Sequence, residues 1–242
     1  MKKSYHSPSE LVLRAILLVI ALTMSIGSAV AQVHGEGGLS FIVGSPQGQF
    51  DTQVDATGFG INAFGGIRVG RNSPVLMGID LGFLIYGHES RREPFSRTIP
   101  DVNVDVVTDN NIVLSHFLLR FQPARGAVRP YFDGLFGLKY FFTETRIQDT
   151  DLFQDQSVVS STNFEDVALS YGVGGGVSFA LARAGGRGGV VSLDIGIRYL
   201  LGSEASYLRR GSIERSRGRV SYDVFQSETN LLETRIGASI RF

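Results

Sequence analysis

The chain has no cysteine and no tryptophan, and only four histidines in 242 residues. Without cysteine no disulfide framework can brace it, so order must come from backbone pairing and packing. No His or Cys cluster has the spacing of a zinc site. Long hydrophobic runs are also scarce, and beyond Ala31 none is long enough to cross a bilayer as a helix. Thirty glycines argue further against a helical soluble domain. Neither charge sign dominates, with 23 bases against 23 acids.

Residues 1–31 carry the one helix-length apolar run, 15–24. It follows Lys2, Lys3 and Arg14 and precedes the small-x-small sequence Ala29-Val30-Ala31. That is the layout of a secretory signal peptide cleaved before Gln32, and its core falls short of the ~20 residues of a spanning helix. Removal takes three bases and one acid (Glu10), leaving residues 32–242 with two more acids than bases. A slightly acidic mature chain argues against a nucleic-acid partner.

What the chain does have is alternation. Counting back from the last residue, Phe242, Ile240, Ala238, Ile236, Thr234 and Leu232 share one face, and Arg241, Ser239, Gly237, Arg235 and Glu233 the other. The same period of two predicts seven more strands, at 38–44, 58–69, 75–90, 110–122, 129–145, 164–181 and 190–205. Three short Gly/Pro-rich connections (70–74, 123–128, 183–189) alternate with four long polar ones (45–57, 91–107, 148–163, 206–220). Pro94 and Pro100 interrupt the second long segment, yet Val102, Val104 and Val106 alternate beyond them, which predicts an extension of the barrel wall.

Which face is apolar decides the architecture. Phe59, Ile61, Ile79, Leu81, Phe83, Phe117, Leu119, Phe132, Phe136, Leu138, Tyr140, Phe142, Val173, Val177, Leu193, Ile195 and Ile197 form large continuous stripes. The opposite positions are Gly, Ser and sparse charges, too small to coat an exterior but suited to a narrow interior. With no helix to span a bilayer, a closed sheet is the structure that leaves no unsatisfied edge in lipid. The expectation is an all-β, eight-stranded antiparallel up-and-down transmembrane β-barrel, with short periplasmic turns and long extracellular loops.

The signal peptide, the eight alternating strands and the terminal Ile-Gly-Ala-Ser-Ile-Arg-Phe together resemble the eight-stranded outer-membrane barrels that include OmpX and the transmembrane domain of OmpA. The resemblance implies a bacterial outer-membrane location and contact with membrane lipid and lipopolysaccharide. It also implies recognition of Phe242 and Ile240 by the barrel-assembly machinery, and a monomer. It specifies architecture rather than activity. No Trp serves the interfacial girdles, which leaves them to Tyr and Phe.

The inward set contains Arg68, Arg120, Lys139, Arg198, Arg235 and Arg241 with Asp80, Asp133, Asp194, Glu233 and His116. Charges in a narrow interior must pair, which predicts a salt-bridged plug. A narrow pore for water or small ions is the alternative. His88-Glu89-Ser90 and Ser115-His116 raise a third reading, a lipid A-modifying hydrolase, since a nucleophilic Ser needs an imidazole and an orienting acid. Parity places His88 in the lumen, away from lipid, so no catalytic residue is assigned. Gly58-Phe59-Gly60-Ile61-Asn62-Ala63 fits a dinucleotide pattern by letter but lies within a strand. Asp149, Asp151 and Asp155 lack the central Gly of a calcium loop. No cofactor and no metal is expected. Gly172 to Gly176 is read as room for bulky side chains from opposite strands.

The loops contrast in charge. Asp149, Asp151, Asp155, Glu165 and Asp166 are unaccompanied by bases, whereas Arg209, Arg210, Arg215, Arg217 and Arg219 face Glu214 alone. Guanidinium groups grip phosphate bidentately, so these arginines are candidates for lipopolysaccharide contacts or for pairing with the acidic loop. The function expected is structural or surface interaction.

Overall fold

The computed structural model describes residues 34–70, 72–96, 99–149, 157–184, 189–216 and 219–242; the signal segment lies outside them. In chain order the elements are β1 (Gly35–Pro46), α1 (Gln49–Val54), β2 (Gly58–Arg68), β3 (Val75–Ser96), β4 (Ile99–Phe121), β5 (Val128–Asp149), β6 (Ser157–Ala184) and β7 (Gly189–Gly202). They continue with β8 (Glu204–Tyr207), β9 (Ile213–Ser216), β10 (Arg219–Tyr222), β11 (Phe225–Glu228) and β12 (Leu231–Arg241). Eight of the strands close an antiparallel barrel in the order β1-β12-β7-β6-β5-β4-β3-β2. Barrel strands that follow one another along the chain are paired, with β8 to β11 set in the connection between β7 and β12, and the seam joins β12 to β1 from Glu36 opposite Arg241 to Pro46 opposite Leu231. Phe242 completes it with two backbone hydrogen bonds to Gly35, 3.0 and 3.1 Å.

Alternation sorts the faces as the stripes require. Phe41, Phe59, Ile67, Ile79, Phe117, Phe132, Phe136, Val173, Ile197, Ile236 and Ile240 are exposed on the outside, an apolar surface that only a lipid environment removes from water. Phe142 shares the outward parity but is buried, its ring stacked on Tyr140 at 5.5 Å and tilted against Phe83 at 6.4 Å.

The long connections are not the loops that polarity suggested. Segment 91–107 is mostly wall, because β3 continues to Ser96 and β4 begins at Ile99. The acidic 148–163 segment is likewise shortened by β5 and β6. Segment 206–220 is folded into two ribbons, β8 with β11 and β9 with β10, and the predicted strand 190–205 breaks after Gly202. Polar residues extend these strands because, beyond the lipid, both faces of the sheet meet water and apolar alternation is no longer required.

The mouth is therefore oblique. Strands β3 to β6 rise as a four-stranded sheet on one side, while β1, β2, β7 and β12 stop lower. Segment 45–57 fills the low side. It contains α1, bracketed by Gly48 at φ 62° and Asp55 at φ 44°, and it carries Phe50 into the barrel mouth.

Candidate functional site

The interior is stacked in layers, built from alternate residues of every strand. At the short-turn end, the Arg68 guanidinium donates to the Glu36 carboxylate (3.0 Å) and to Gln122 Oε1 (3.1 Å). Arg129, fully buried, reaches Gln122 Oε1 (3.2 Å), Ser178 (3.1 Å) and Ser192 (3.3 Å). Arg241 is only half-buried and donates to the Ala124 carbonyl instead of to an acid.

The next layer is a fused ion network. Arg120 grips Asp133 with two parallel hydrogen bonds, 2.7 and 2.9 Å. Arg198 grips Asp80 likewise, at 2.9 and 3.0 Å, and also reaches Asp133 at 3.1 Å. The Arg120 guanidinium lies between the rings of Tyr131 (4.1 Å) and Phe64 (4.5 Å). Asn62 adds a bond to Asp80, 2.8 Å. Charge-assisted forks of this kind are among the strongest protein hydrogen bonds, and the network ties β3, β4, β5 and β7 together across the lumen.

Above it, His116 Nε2 bonds Ser170 Oγ at 2.8 Å, and the Lys139 ammonium donates to the Leu200 and Thr229 carbonyls. Glu233 is buried opposite Arg198, and Asp194 is buried nearer the short turns, opposite Ser178. The structure thus brings ten of the eleven expected interior residues into the closed lumen and leaves Arg241 at its edge. Glu36 and Arg129 were not anticipated, although Arg129 shares the parity of Tyr131 and Asp133. Glu36 sits among glycines ahead of the expected strand start.

The upper half corrects the expectation of a purely small and polar lining. Ile42, Leu84, Ile112, Leu114, Phe141, Leu200 and Leu231 point inward and are buried. Phe50 is 0% exposed at their centre. Its ring meets Tyr207, Phe141 and Tyr86 edge-on at 5.0, 5.9 and 6.0 Å, the arrangement that aromatic quadrupoles favour. The Tyr86 hydroxyl donates to the Leu208 carbonyl (2.9 Å) and Tyr207 pairs with Ser227 (2.8 Å). The glycines of β6 make room for side chains of adjacent, not opposite, strands: a Cβ on Gly174 would stand 2.4 Å from Arg198 Cγ, and one on Gly176 2.4 Å from the Tyr131 hydroxyl.

A bulge between Ile85 and Gly87 overturns the assignment of His88 to the lumen. One extra residue reverses parity, so the His88 side chain is outside and 64% exposed. Its Nδ1 lies 2.6 Å from the Asp109 carboxylate, which Arg146 also holds. The acid and base of a hydrolytic set are thus together near the outer limit of the apolar band. Among the described residues, however, nothing bonds Ser90 to His88. Glu89, on the opposite face, accepts from Arg91 (2.6 Å) and from the Gly211 amide (3.0 Å). The Arg91 guanidinium holds its carboxyl below the usual glutamate range.

The arginine-rich loop is tied to the mouth. Arg209 donates to the Gln53 carbonyl of α1 (3.1 Å) and lies over the Phe225 ring (4.0 Å), while Arg210 is exposed. Arg215 and Arg219 are described by backbone pairing alone, opposite Val220 and Ser216. Arg217, Asp151 and Asp155 lie outside the described residues, as does the side chain of Asp149. Asp166 accepts from the Ser206 amide at 2.7 Å, not from an arginine. Among the described residues no cluster of His, Asp or Glu is placed to hold a metal.

A family model described as the outer membrane protein beta-barrel domain matches residues 15–226. No curated protein matches the chain. Among solved structures it is similar to Neisserial surface protein A, at 14% identity over 86% of this chain and 95% of that one, with a TM-score of 0.36. It is also similar to Ail, the attachment invasion locus protein of Yersinia pestis, solved with the heparin analogue sucrose octasulfate, at 15% identity over 87% and 99% with a TM-score of 0.39. The N-terminal barrel domain of Pseudomonas aeruginosa OprF matches at 9% identity over 87% and 100%, with a TM-score of 0.34.

Proposed function

The chain belongs to the outer membrane protein beta-barrel family, and from that premise we propose that it is a surface-interaction protein, exported by the cleaved segment 1–31, whose binding element is the sheet β3 to β6. The observation that carries the reading is the outer edge of β6. Its lower part is capped by β7 and then by Ser203, which bonds Leu169. Residues 157–165 pair with β5 on one side; on the other, β8 packs beside β6 where Asp166 accepts from Ser206, and among the described residues no strand is laddered to the edge above it. A free edge carries unpaired N–H and C=O groups and accepts an extended segment of a partner protein by backbone pairing. The opposite edge, on β3, is occupied, since Glu89 holds Gly211 and Arg91 reaches the Ile213 carbonyl. The fused ion network crosses the lumen below, which favours this role over transport.

The test is an array of extended peptides probed with detergent-solubilised protein, compared with Ser161→Pro and Thr162→Pro. Successive N–H groups point to opposite edges, so one substitution removes a free donor and the other disturbs the β5 ladder. At least a tenfold drop in peptide binding is expected from the substitution on the free side while the barrel stays folded. Equal binding by the wild type and both variants sinks the proposal. Within the same reading, Arg210 is the described arginine left to meet lipopolysaccharide phosphate, because Arg209 is committed to α1. Unchanged lipopolysaccharide binding by Arg210→Ala removes that part.

A further inference from the structure

The short-turn end of the barrel carries a surplus of positive charge. Its three connections, 70–74, 123–128 and 183–189, contain four arginines and no acid. Just inside, the buried charges balance. Arg68 and Arg129 share the Glu36 carboxylate at 3.0 and 3.5 Å, and Asp194 lies on the rung of Arg129, beyond Ser178. Arg125, Arg183 and Arg241 are left over. Among the described residues no carboxylate pairs with any of the three; Arg241 donates to the Ala124 carbonyl instead.

The fold brings these three together. Arg183 of β6 and Arg241 of β12 pair with the same residue of β7, Val190. Their backbones are therefore two strand spacings apart, ~10 Å, within the combined reach of two arginine side chains. Simple alternation from Phe179 would point Arg183 at lipid. The bulge between Ala180 and Ala182 reverses that parity and turns it to the inner face with Arg241. Arg241 in turn spans the end of the barrel to Ala124, which sets it beside Arg125, the next residue of that turn. Arg125 and Arg183 are exposed and Arg241 is half-buried, so the cluster is open to a ligand from the short-turn side.

We propose that Arg125, Arg183 and Arg241 form an anion-binding site at the short-turn end of the barrel, and that its ligand is a phosphate group. The donor geometry selects phosphate. A guanidinium offers donors only, in a planar fork that matches two oxygens of a phosphate. A carboxylate has two oxygens and is used up by one fork, whereas a tetrahedral phosphate presents oxygens in several directions and meets more than one arginine at once. The buried Arg68 and Arg129 place further positive charge close behind Arg241, partly offset by Glu36, and a low-dielectric wall focuses that field on the opening. Free inorganic phosphate and the headgroup of an anionic phospholipid in the adjoining leaflet share this chemistry.

The test follows the arginine Nε–H signals by NMR in glycoside-detergent micelles, which contain no phosphate. Inorganic phosphate and short-chain phosphatidylglycerol are titrated in separate arms, with sodium chloride at matched ionic strength as the control. The Arg183 and Arg241 signals are expected to shift saturably in at least one arm. A response to phosphatidylglycerol alone identifies the headgroup as the source, and a response to inorganic phosphate alone identifies a free anion. Arg183→Gln and Arg125→Gln, both at exposed positions outside the seam, should each weaken that binding at least fivefold. Arg241→Gln should do the same, and if it does not fold the other two variants decide. No saturable shift in either arm, an equal shift with sodium chloride, or unchanged affinity in Arg183→Gln overturns the proposal.

Discussion

The two halves of the barrel interior are lined by the same strands and held together by different physics. From the short turns to the layer of Asp80 and Asp133, cohesion comes from forked guanidinium–carboxylate pairs in which each removal strands a partner. From Leu84 to the mouth it comes from apolar side chains packed around Phe50, whose contacts are individually small and replaceable. The difference follows from what each half must exclude. The lower half closes on itself, so its charges neutralise one another across a narrow lumen. The upper half has an oblique rim and needs an added element, α1, to fill it. An ionic layer is therefore specific and brittle, while the aromatic stopper is removable.

The largest effect that would break this contrast belongs to Arg198, which bridges Asp80 and Asp133. Arg198→Ala leaves both acids short of a buried partner and is expected to cost about 3–5 kcal/mol, seen as a lowered urea midpoint for the folded form. Phe50→Ala should cost about 3 kcal/mol, the low end for such truncations, because α1 can withdraw between Gly48 and Asp55 and let water in. Its signature is new protease cleavage within 45–57 with the barrel intact. If Phe50→Ala unfolds the barrel as readily as Arg198→Ala, the halves are not distinct. Gly174→Ala pushes a methyl against Arg198 Cγ and should cost about 1–3 kcal/mol through overpacking, whereas Gly211→Ala meets no atom within 4 Å and is strained only by its positive φ of 80°.

The smallest effect is at the rim. Because the Glu89 carboxyl is held below its ordinary value of 4.5 by Arg91, its contribution to docking the β9 and β10 ribbon is complete above that value. It fades as pH falls through the lower folded value. Protection of the Gly211 amide, its exchange rate compared with the intrinsic rate at each pH, should fall on acidification below about pH 4.5, and Glu89→Gln should abolish that change. Protection at Gly211 that is flat with pH in the wild type removes Glu89 as the clasp.

Much of this was legible without coordinates, and what was missed was missed for definable reasons. Asp80, Asp133 and Arg198 could be assigned to one face because each lies in an unbroken alternating strand. Glu36 escaped because glycines on both sides carry no alternation signal. His88 was placed on the wrong face because a single bulged residue at Tyr86 reverses parity, and a bulge leaves no mark in composition. Phe50 escaped because a lone aromatic in a polar loop reads as a surface residue until a hydrophobic mouth is there to receive it.

The amino-acid order by itself determined that strands form, that one face of each is apolar, and that lipid must cover it, because pleat and side-chain polarity are properties of a residue and its near neighbours. Only the closed barrel decided which acid meets which base, where the wall outgrows the membrane, and what stops the mouth. Those depend on the register between strands and on the stagger that closure imposes, quantities set by residues far apart in the chain.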